Sequence, residues 1–172
     1  CAMTSNDSMI IALNCGSSSV KAAWFRSGPD PRRIGSALID NVGSAQPLLR
    51  VRHADGDLLR EEQVEALDHA DAIDVALTHI ETWELTGDIA AIGHRVVHGG
   101  ERLTQPCIVD ARRLGELDAL IPLAPVHLPH NLAGIVAARD RWPRIPQVAC
   151  FDTAFHRSLP PVARHTGLPR AL

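Results

Sequence analysis

The sequence predicts an α/β fold built on a mixed sheet, and three observations support this class. Short apolar runs separated by turns rich in Gly, Pro and Asp fill the first 60 residues, which is typical of consecutive strands. Apolar residues then follow a helical spacing from residue 61 to residue 83. Beyond residue 88, strand-like runs alternate with helical segments, so we expect helices to pack against a sheet.

The first third of the chain predicts strands joined by tight turns. A polar Asn-Cys-Gly-Ser-Ser-Ser turn separates the first two apolar runs, and a Ser-Gly-Pro-Asp-Pro segment interrupts the chain before the third. The fourth run leads through Ala54-Asp55-Gly56 into residues 57–60, and the Asp-Gly pair favours the positive φ angles of a hairpin turn. The predicted strands cover residues 9–14, 20–25, 34–39 and 48–53.

The rest of the chain predicts three helices and two buried strands. We expect the first helix to begin at Glu61, where Glu61 and Glu62 would complement the helix dipole. We expect Pro122 to end the second helix and Asn131 to cap the third. The predicted helices cover residues 61–83, 111–121 and 131–141, and the predicted strands cover residues 88–93 and 146–151.

Composition excludes several classes of function. The 172 residues, 45% of them hydrophobic, suffice for one domain with a sizeable core. A net charge of -3 without a basic patch argues against nucleic-acid binding, and no apolar run reaches the about 18–20 residues of a membrane span. Four cysteines without CxxC spacing indicate free thiols and a cytoplasmic location. Residues 1–9 lack the features of a signal peptide, and we expect them to form a leader.

The first motif runs from Asn14 to Ser19 between two strands. Consecutive N–H groups and the hydroxyls of Ser17 and Ser19 can converge on one anion, and Lys21 adds a compact positive charge suited to phosphate. Lys21 is the only lysine, beside sixteen arginines. The loop is not a Walker A motif, because GxxxxGK[ST] is absent. The alternative is a polar hairpin loop with a solvated lysine.

The second motif, residues 93–101, follows the fifth predicted strand. Arg95 lies between glycine and valines, where its guanidinium could grip a carboxylate or phosphate through two hydrogen bonds; a structural ion pair is the alternative. His94 and His98 have the i, i+4 spacing of a zinc helix. A zinc hydrolase would also need the glutamate of HExxH, which is missing, and Gly99-Gly100 would end the helix.

Two further residues are candidates for chemistry. His127 stands between Pro125 and Pro129 before a helix, either as a catalytic group or as a hydrogen-bonded structural residue. Asp152 follows a strand, where open α/β sheets place ligands, so it could hold Mg²⁺ or act as an acid or base. Capping of the following turn is its alternative role. Together with the serine loop, these residues indicate phosphoryl transfer, in which positioning and charge neutralisation dominate catalysis.

Four segments together resemble the N-terminal half of the acetate kinase (acetokinase) family. In chain order they read IIALNCGSSSVKAAWF, IGHRVVHGGE, LAPVHLPHNLAGI and VACFDTAFHRSLP, and they span nearly all of residues 10–160. The resemblance implies the superfold shared by acetate and sugar kinases and actin-like ATPases, in which two α/β domains flank a cleft. It assigns residues 10–172 to the first domain, without the second, nucleotide-binding domain.

The resemblance also implies a reaction, a cofactor and residue roles. The reaction is reversible transfer of the ATP γ-phosphoryl group to acetate, which gives acetyl phosphate and ADP, with Mg²⁺ or in its place Mn²⁺. On the phosphate side, the resemblance implies that Asn14 contacts Mg²⁺ and that Ser17, Ser19 and Lys21 bind the nucleotide phosphates. On the acetate side, it implies that Arg95 binds the substrate carboxylate and that Val97 and Val126 line the methyl pocket. It also implies that His127 assists near the transferred group and that Asp152 is catalytic.

Three expectations follow for the polypeptide as a whole. Residues 1–172 alone should have little or no kinase activity, because half a cleft cannot enclose ATP. The full-length family enzyme should be a homodimer. Propionate and butyrate kinases are close alternatives within the family, and a stand-alone, non-catalytic domain that binds an anion or a partner is the alternative outside it.

For Asp152 we expect a role in positioning Mg²⁺, because acetate is already ionised at pH 7 and needs no general base.

Overall fold

The computed structural model describes residues 8–66, 68–82, 88–154, 159–160 and 162, and it confirms a mixed sheet with flanking helices. None of the helices in this described part combines the length and hydropathy that a membrane crossing requires. The strands are β1 (Met9–Cys15), β2 (Ser19–Arg26), β3 (Arg32–Asp40), β4 (Leu48–His53), β5 (Leu58–Gln63), β6 (Ile89–Val96), β7 (Cys107–Ile108) and β8 (Gln147–Phe151); the helices are α1 (His69–Thr82), α2 (Ala111–Asp118) and α3 (Leu128–Arg141).

The eight strands lie in the order β5-β4-β3-β2-β1-β6-β8-β7. Strands β1 to β5 form an antiparallel meander, whereas β6 is parallel to β1 and β8 is parallel to β6. The edge strand β7 is antiparallel to β8. Because β1, β6 and β8 run in one direction, their carboxyl ends meet at the same edge of the sheet, where ligands bind in open α/β folds.

Helices α1 and α3 pack on one face of the sheet. Alternate residues of the central strands point into this core, among them Ile11, Leu13, Trp24, Ile39 and Ile92. A second cluster joins α2 and α3 to the ends of β6 and β8, through Val96, Leu117, Leu128, Ile135 and Phe151. The opposite face of β1–β4, β6 and β8 carries an open groove of about 560 Å³ with an apolar floor and basic side chains.

The first predicted helix begins too early in the sequence. Residues 61–63 belong to the edge strand β5, in which Glu61 pairs with Arg50 of β4 at 2.6 Å, and α1 begins only at His69. Asp71, rather than Glu61 or Glu62, is the acidic residue in the first turn of the helix. Trp83, the predicted last residue, lies outside the described residues. The turn before β5 is as predicted, with Gly56 at a positive φ of 99°.

The other boundaries differ by a few residues. Helix α2 ends at Asp118, and a short 3-10 helix over Ile121–Leu123 follows it. Helix α3 begins at Leu128 with His127 in the cap position, so the prediction that Asn131 caps this helix is wrong. Met9, which both the predicted leader and the first predicted strand include, is a buried residue of β1; residues 1–7 of that leader lie outside the described residues.

Candidate active site

The serine loop joins β1 to β2 as a closed turn at the carboxyl end of β1. Its ends are held by a hydrogen bond from the Gly16 N–H to the Ser19 carbonyl at 2.9 Å. The Ser18 carbonyl accepts a bond from the Val42 N–H at 3.1 Å, which ties the loop to the end of β3. Ser17 is exposed at the tip. Two backbone hydrogen bonds therefore anchor the loop, while the Ser17 hydroxyl remains accessible.

Asn14 and Lys21 face each other across β1 and β2, directly below the serine loop. They are paired in the antiparallel register, so their side chains leave the sheet on the same side. Their neighbours Leu13, Cys15 and Val20 point into the core, which directs Asn14 and Lys21 away from α1 and α3. The lysine thus contributes its charge to the same space as the serine loop.

Arg95 and Asp152 form a bidentate ion pair across the ends of β6 and β8. The Arg95 Nε donates to both carboxylate oxygens at 2.9 and 3.0 Å, and Nη2 donates to Oδ2 at 2.6 Å. The hydrogen bonds to Asp152 raise the pKa of the Arg95 guanidinium. Among the described residues, Nη1 makes one long contact, 3.3 Å to Asn14 Oδ1. The ion pair therefore fixes the plane of the guanidinium and turns Nη1 toward the end of β1.

A cavity of about 260 Å³, the site cavity, lies between these groups. His127 reaches it from the residue before α3, and Val97 from the end of β6. Val126 is 61% exposed and does not line it, and Asp152 meets it only through Arg95. The predicted residues that line this cavity are Asn14, Ser17, Ser19, Lys21, Arg95, Val97 and His127.

Two features of the site were not found by sequence reasoning. Asn131 is buried in α3 and hydrogen-bonds the backbone of both β1 and β6, through Cys15 and Val97. The sequence pattern that could have revealed this role is a polar amide residue on a helix face that is otherwise apolar, beside Leu132 and Ile135. His69 at the start of α1 bonds the Gly16 carbonyl at 2.9 Å through Nε2, so this nitrogen carries the proton.

The ring of His69 is stacked on that of His130, with ring centroids 3.8 Å apart. Burial, and then the neighbouring His69 and His127, lower the pKa of His130. The stacked pair therefore supports the serine loop from the side of the helices, through the bond from His69 to Gly16. Neither residue carries a local sequence signal, because the two meet only through the packing of α1 against α3.

The two histidines of the zinc hypothesis do not share a helix face. His94 is buried inside strand β6, where its Nε2 bonds Gln147 Oε1 at 2.7 Å and burial lowers its pKa. His98 lies beyond the strand, and its Nδ1 accepts a bond from the Gly100 N–H at 2.8 Å. Within the described ranges, no three His, Cys, Asp or Glu side chains are grouped so as to hold a metal ion. The i, i+4 interpretation is wrong because this segment is a strand.

Hard oxygen ligands for Mg²⁺ are nevertheless present at the carboxyl ends of the strands. Within the residues that the structure describes, the amide oxygen of Asn14 has only the long Arg95 contact, which leaves a lone pair for a cation or its water. The carboxylate of Asp152 has the right chemistry, but three bonds from Arg95 already engage it. Asn14 could therefore contribute one oxygen ligand to an ion held mainly by phosphate and water, whereas the Asp152 carboxylate is engaged by Arg95.

Comparison with known proteins shows the same architecture. The sequence model of the Acetokinase family matches residues 9–172. The acetate kinase of Methylocella silvestris is 43% identical over 94% of this chain and 42% of its own length; acetate kinase 2 of Neisseria meningitidis serogroup A is 36% identical over 97% and 41%. The chain thus spans about two fifths of the length of these curated relatives.

Two solved structures superimpose on the chain. The Porphyromonas gingivalis acetate kinase gives a TM-score of 0.81 at 30% identity, covering 95% of this chain and 42% of that one. A Francisella tularensis propionate kinase gives 0.80 at 32% identity, covering 95% and 41%. These likenesses confirm the fold expected from the four sequence segments. The chain therefore belongs to the acetokinase family.

Proposed function

We propose that the chain supplies the acyl-binding half of an acetate kinase, which catalyses ATP + acetate ⇌ ADP + acetyl phosphate. The observation that carries this proposal is the convergence of the serine loop, Lys21 and the Arg95–Asp152 pair on one small cavity. A carboxylate oxygen of acetate attacks the γ-phosphorus, and the bond from that phosphorus to the bridging oxygen of ADP breaks. Catalysis is then mainly orientation of two anions and neutralisation of their charge.

Arg95 is placed to orient the acetate carboxylate. Asp152 engages Nε and one of the two N–H groups of Nη2, so a second carboxylate meets the guanidinium on the side of Nη1, the group that points toward Asn14. Because acetate is ionised at pH 7, no proton has to be removed from it. Asp152 therefore acts as the group that orients Arg95, in addition to the expected part in positioning Mg²⁺.

The phosphate side of the cavity consists of the serine loop and Lys21. The loop hydroxyls and the ammonium group are donors for phosphoryl oxygens, and His127 faces the same space from the start of α3. Mg²⁺, held at Asn14 and by the nucleotide, would neutralise charge on the transferred group. Val97 is the valine in the cavity wall, and acetate, propionate and butyrate are the acyl groups to compare.

The remaining parts of the proposal concern the longer family enzyme. Because this chain spans two fifths of its relatives, we place adenosine binding and the homodimer contact in the other three fifths. The described Cys15, Cys107 and Cys150 are free thiols, in keeping with the reducing cytoplasm as the site of action.

The test joins residues 1–172 to the remaining three fifths of the Methylocella silvestris acetate kinase. Acetyl phosphate, trapped as the hydroxamate, should form with this chimera and not with residues 1–172 alone. Arg95→Gln should lower kcat/KM for acetate about 100-fold. The matched control Arg33→Gln removes an exposed arginine of β3 whose side chain, among the described residues, bonds the Ala54 carbonyl, and it should leave the rate unchanged.

The outcomes separate the alternatives. A folded chimera that phosphorylates neither acetate nor propionate would refute the proposal. If residues 1–172 bind pyrophosphate while that folded chimera stays inactive, the chain is an anion-binding module. Robust hydroxamate formation by residues 1–172 alone would refute the assignment of adenosine binding to the rest of the family enzyme.

A further inference from the structure

Asn131 is a buried carboxamide at the point where β1 and β6 part. The parallel register between these strands ends at Leu13 and His94. Beyond it, the Asn131 Nδ2 donates to the Cys15 carbonyl at 2.6 Å, and Oδ1 accepts from the Val97 N–H at 3.0 Å. The side chain therefore bridges the two segments beyond their last ladder pair, with one bond to Cys15 at the end of β1 and one to Val97, the first residue after β6.

The same residue contacts all three segments that form the site cavity. Cys15 follows Asn14, and Val97 lies two residues after Arg95. The Asn131 N–H also donates to the His127 carbonyl at 3.2 Å, one helical turn earlier. A change in the side-chain amide would thus move the segments that carry Asn14 and Arg95 relative to each other and to α3, while the backbone bond to His127 remains.

The cost of burying this amide argues for a specific purpose. Within the described part of the chain, the polar or charged residues classed as buried are Ser8, His94, Asn131 and Gln147, and only Asn131 borders the site cavity. An apolar side chain would fill the same helix position without a polar group to satisfy, whereas an amide must find partners for both its ends. Both ends are satisfied here by the backbone of the site strands.

We propose that Asn131 is a positioning residue that holds the ends of β1 and β6 apart by the width of one carboxamide and so sets the distance between Asn14 and Arg95. That distance determines whether the Arg95 Nη1 and the Asn14 Oδ1, now 3.3 Å apart, can face one ligand together. The use of this geometry in acyl phosphate formation rests on the proposed function; the geometry itself does not.

The test compares Asn131→Leu with Gln147→Leu in the 172-residue chain. Gln147 is the matched control, because it is an equally buried amide with two bonds, to His94 and to the Ile145 carbonyl. In Asn131→Leu the Val97 amide should exchange with solvent about three- to tenfold faster than in the control, which corresponds to one lost hydrogen bond. The NMR resonance of the Arg95 Nε–H should move in Asn131→Leu alone. Equal exchange and equal resonances in both variants would overturn the proposal.

Asn131→Asp keeps the test decisive if the leucine variant does not fold. A protonated carboxyl can still donate to Cys15 and accept from Val97, whereas a carboxylate faces the Cys15 carbonyl without a donor. The Arg95 resonance should therefore match the wild type at acid pH and depart from it as the introduced carboxyl ionises. A resonance that stays at the wild-type position across this titration would contradict the bridging role.

A titration with pyrophosphate separates this inference from the proposed function. If the wild-type chain binds pyrophosphate at Gly16–Ser19, Asn131→Leu should weaken it at least as much as it accelerates exchange at Val97, and the Gln147→Leu control should not. Unaltered affinity in Asn131→Leu would count against the inference. If the wild type binds no pyrophosphate, the phosphate part of the proposed function fails, and the exchange and resonance measurements still decide the role of Asn131.

Discussion

Helix α3 approaches β1 so closely that Gly134 has no room for a side chain. A Cβ built on Gly134 would lie 2.5 Å from the Cys15 Sγ and 3.3 Å from its Cβ, well inside van der Waals contact. Both residues are buried, so neither can yield toward solvent. We predict that Gly134→Ala destabilises the protein although alanine is the better helix former.

The magnitude follows from two opposing effects. Replacing a glycine by alanine inside a helix contributes about 1 kcal/mol of stability through propensity. Forcing a methyl group into a packed core costs about 1–3 kcal/mol. Gly115 in α2 provides the matched control, because a Cβ there meets nothing within 4 Å. The free energies of unfolding of the two alanine variants should therefore differ by about 1–3 kcal/mol, since the propensity gain cancels between them.

Urea unfolding followed by circular dichroism measures both variants and the wild type. Gly115→Ala should raise the midpoint, and Gly134→Ala should lower it. Adding Cys15→Ala to Gly134→Ala removes the sulfur and should recover the larger part of the difference, leaving the tight contact between the two Cβ atoms. This account of the contact would be refuted if Gly134→Ala were as stable as Gly115→Ala. It would also be refuted if the double variant recovered none of the lost free energy of unfolding.

Three further outcomes are expected. Gly99→Ala should give little folded protein, because a Cβ there would collide with the backbone carbonyl of Leu103; a wild-type urea midpoint would contradict this. Because burial lowers the pKa of His94 and His130, the unfolded chain binds more protons below about pH 6.5. Tm should therefore fall from pH 7.5 to 5.5, and a double His-to-Gln variant with an undiminished fall would refute the assignment. Burial raises the pKa of Cys15 to about 12, so iodoacetamide should alkylate this thiol only after unfolding, as mass spectrometry of the native and urea-unfolded protein would show.

Much of the fold could be predicted because the central strands bury one side of each strand. The alternation in β1 and β2 follows from a core on one face only, and the Asp-Gly turn has few other conformations open to it. Strand β5 escaped prediction because it lies at the edge with nearly every residue exposed, so it carries no alternation. Only its pairing with β4, through contacts such as Arg50 to Glu61, shows it to be a strand.

The candidate site likewise contains some residues that could be predicted from the sequence and others that could not. Residues next to the ends of β1, β6 and β8 could be predicted, because the direction of those strands brings Asn14, Arg95 and Asp152 to one edge. The ion pair between Arg95 and Asp152 joins residues 57 positions apart and depends on the parallel register. Asn131 and the stacked histidines depend on how helices settle on the sheet, which no local spacing expresses.

The single lysine of the chain allows selective chemical labelling beside the serine loop. An amine-reactive probe has one side-chain target in all 172 residues, and that target is Lys21, exposed opposite Asn14. A fluorophore or an isotopically labelled methyl group attached there reports on the side of the site cavity that we propose to bind phosphate, without any substitution. Protection of Lys21 by a bound anion, measured as a slower labelling rate, would then give occupancy of the site in the unmodified sequence.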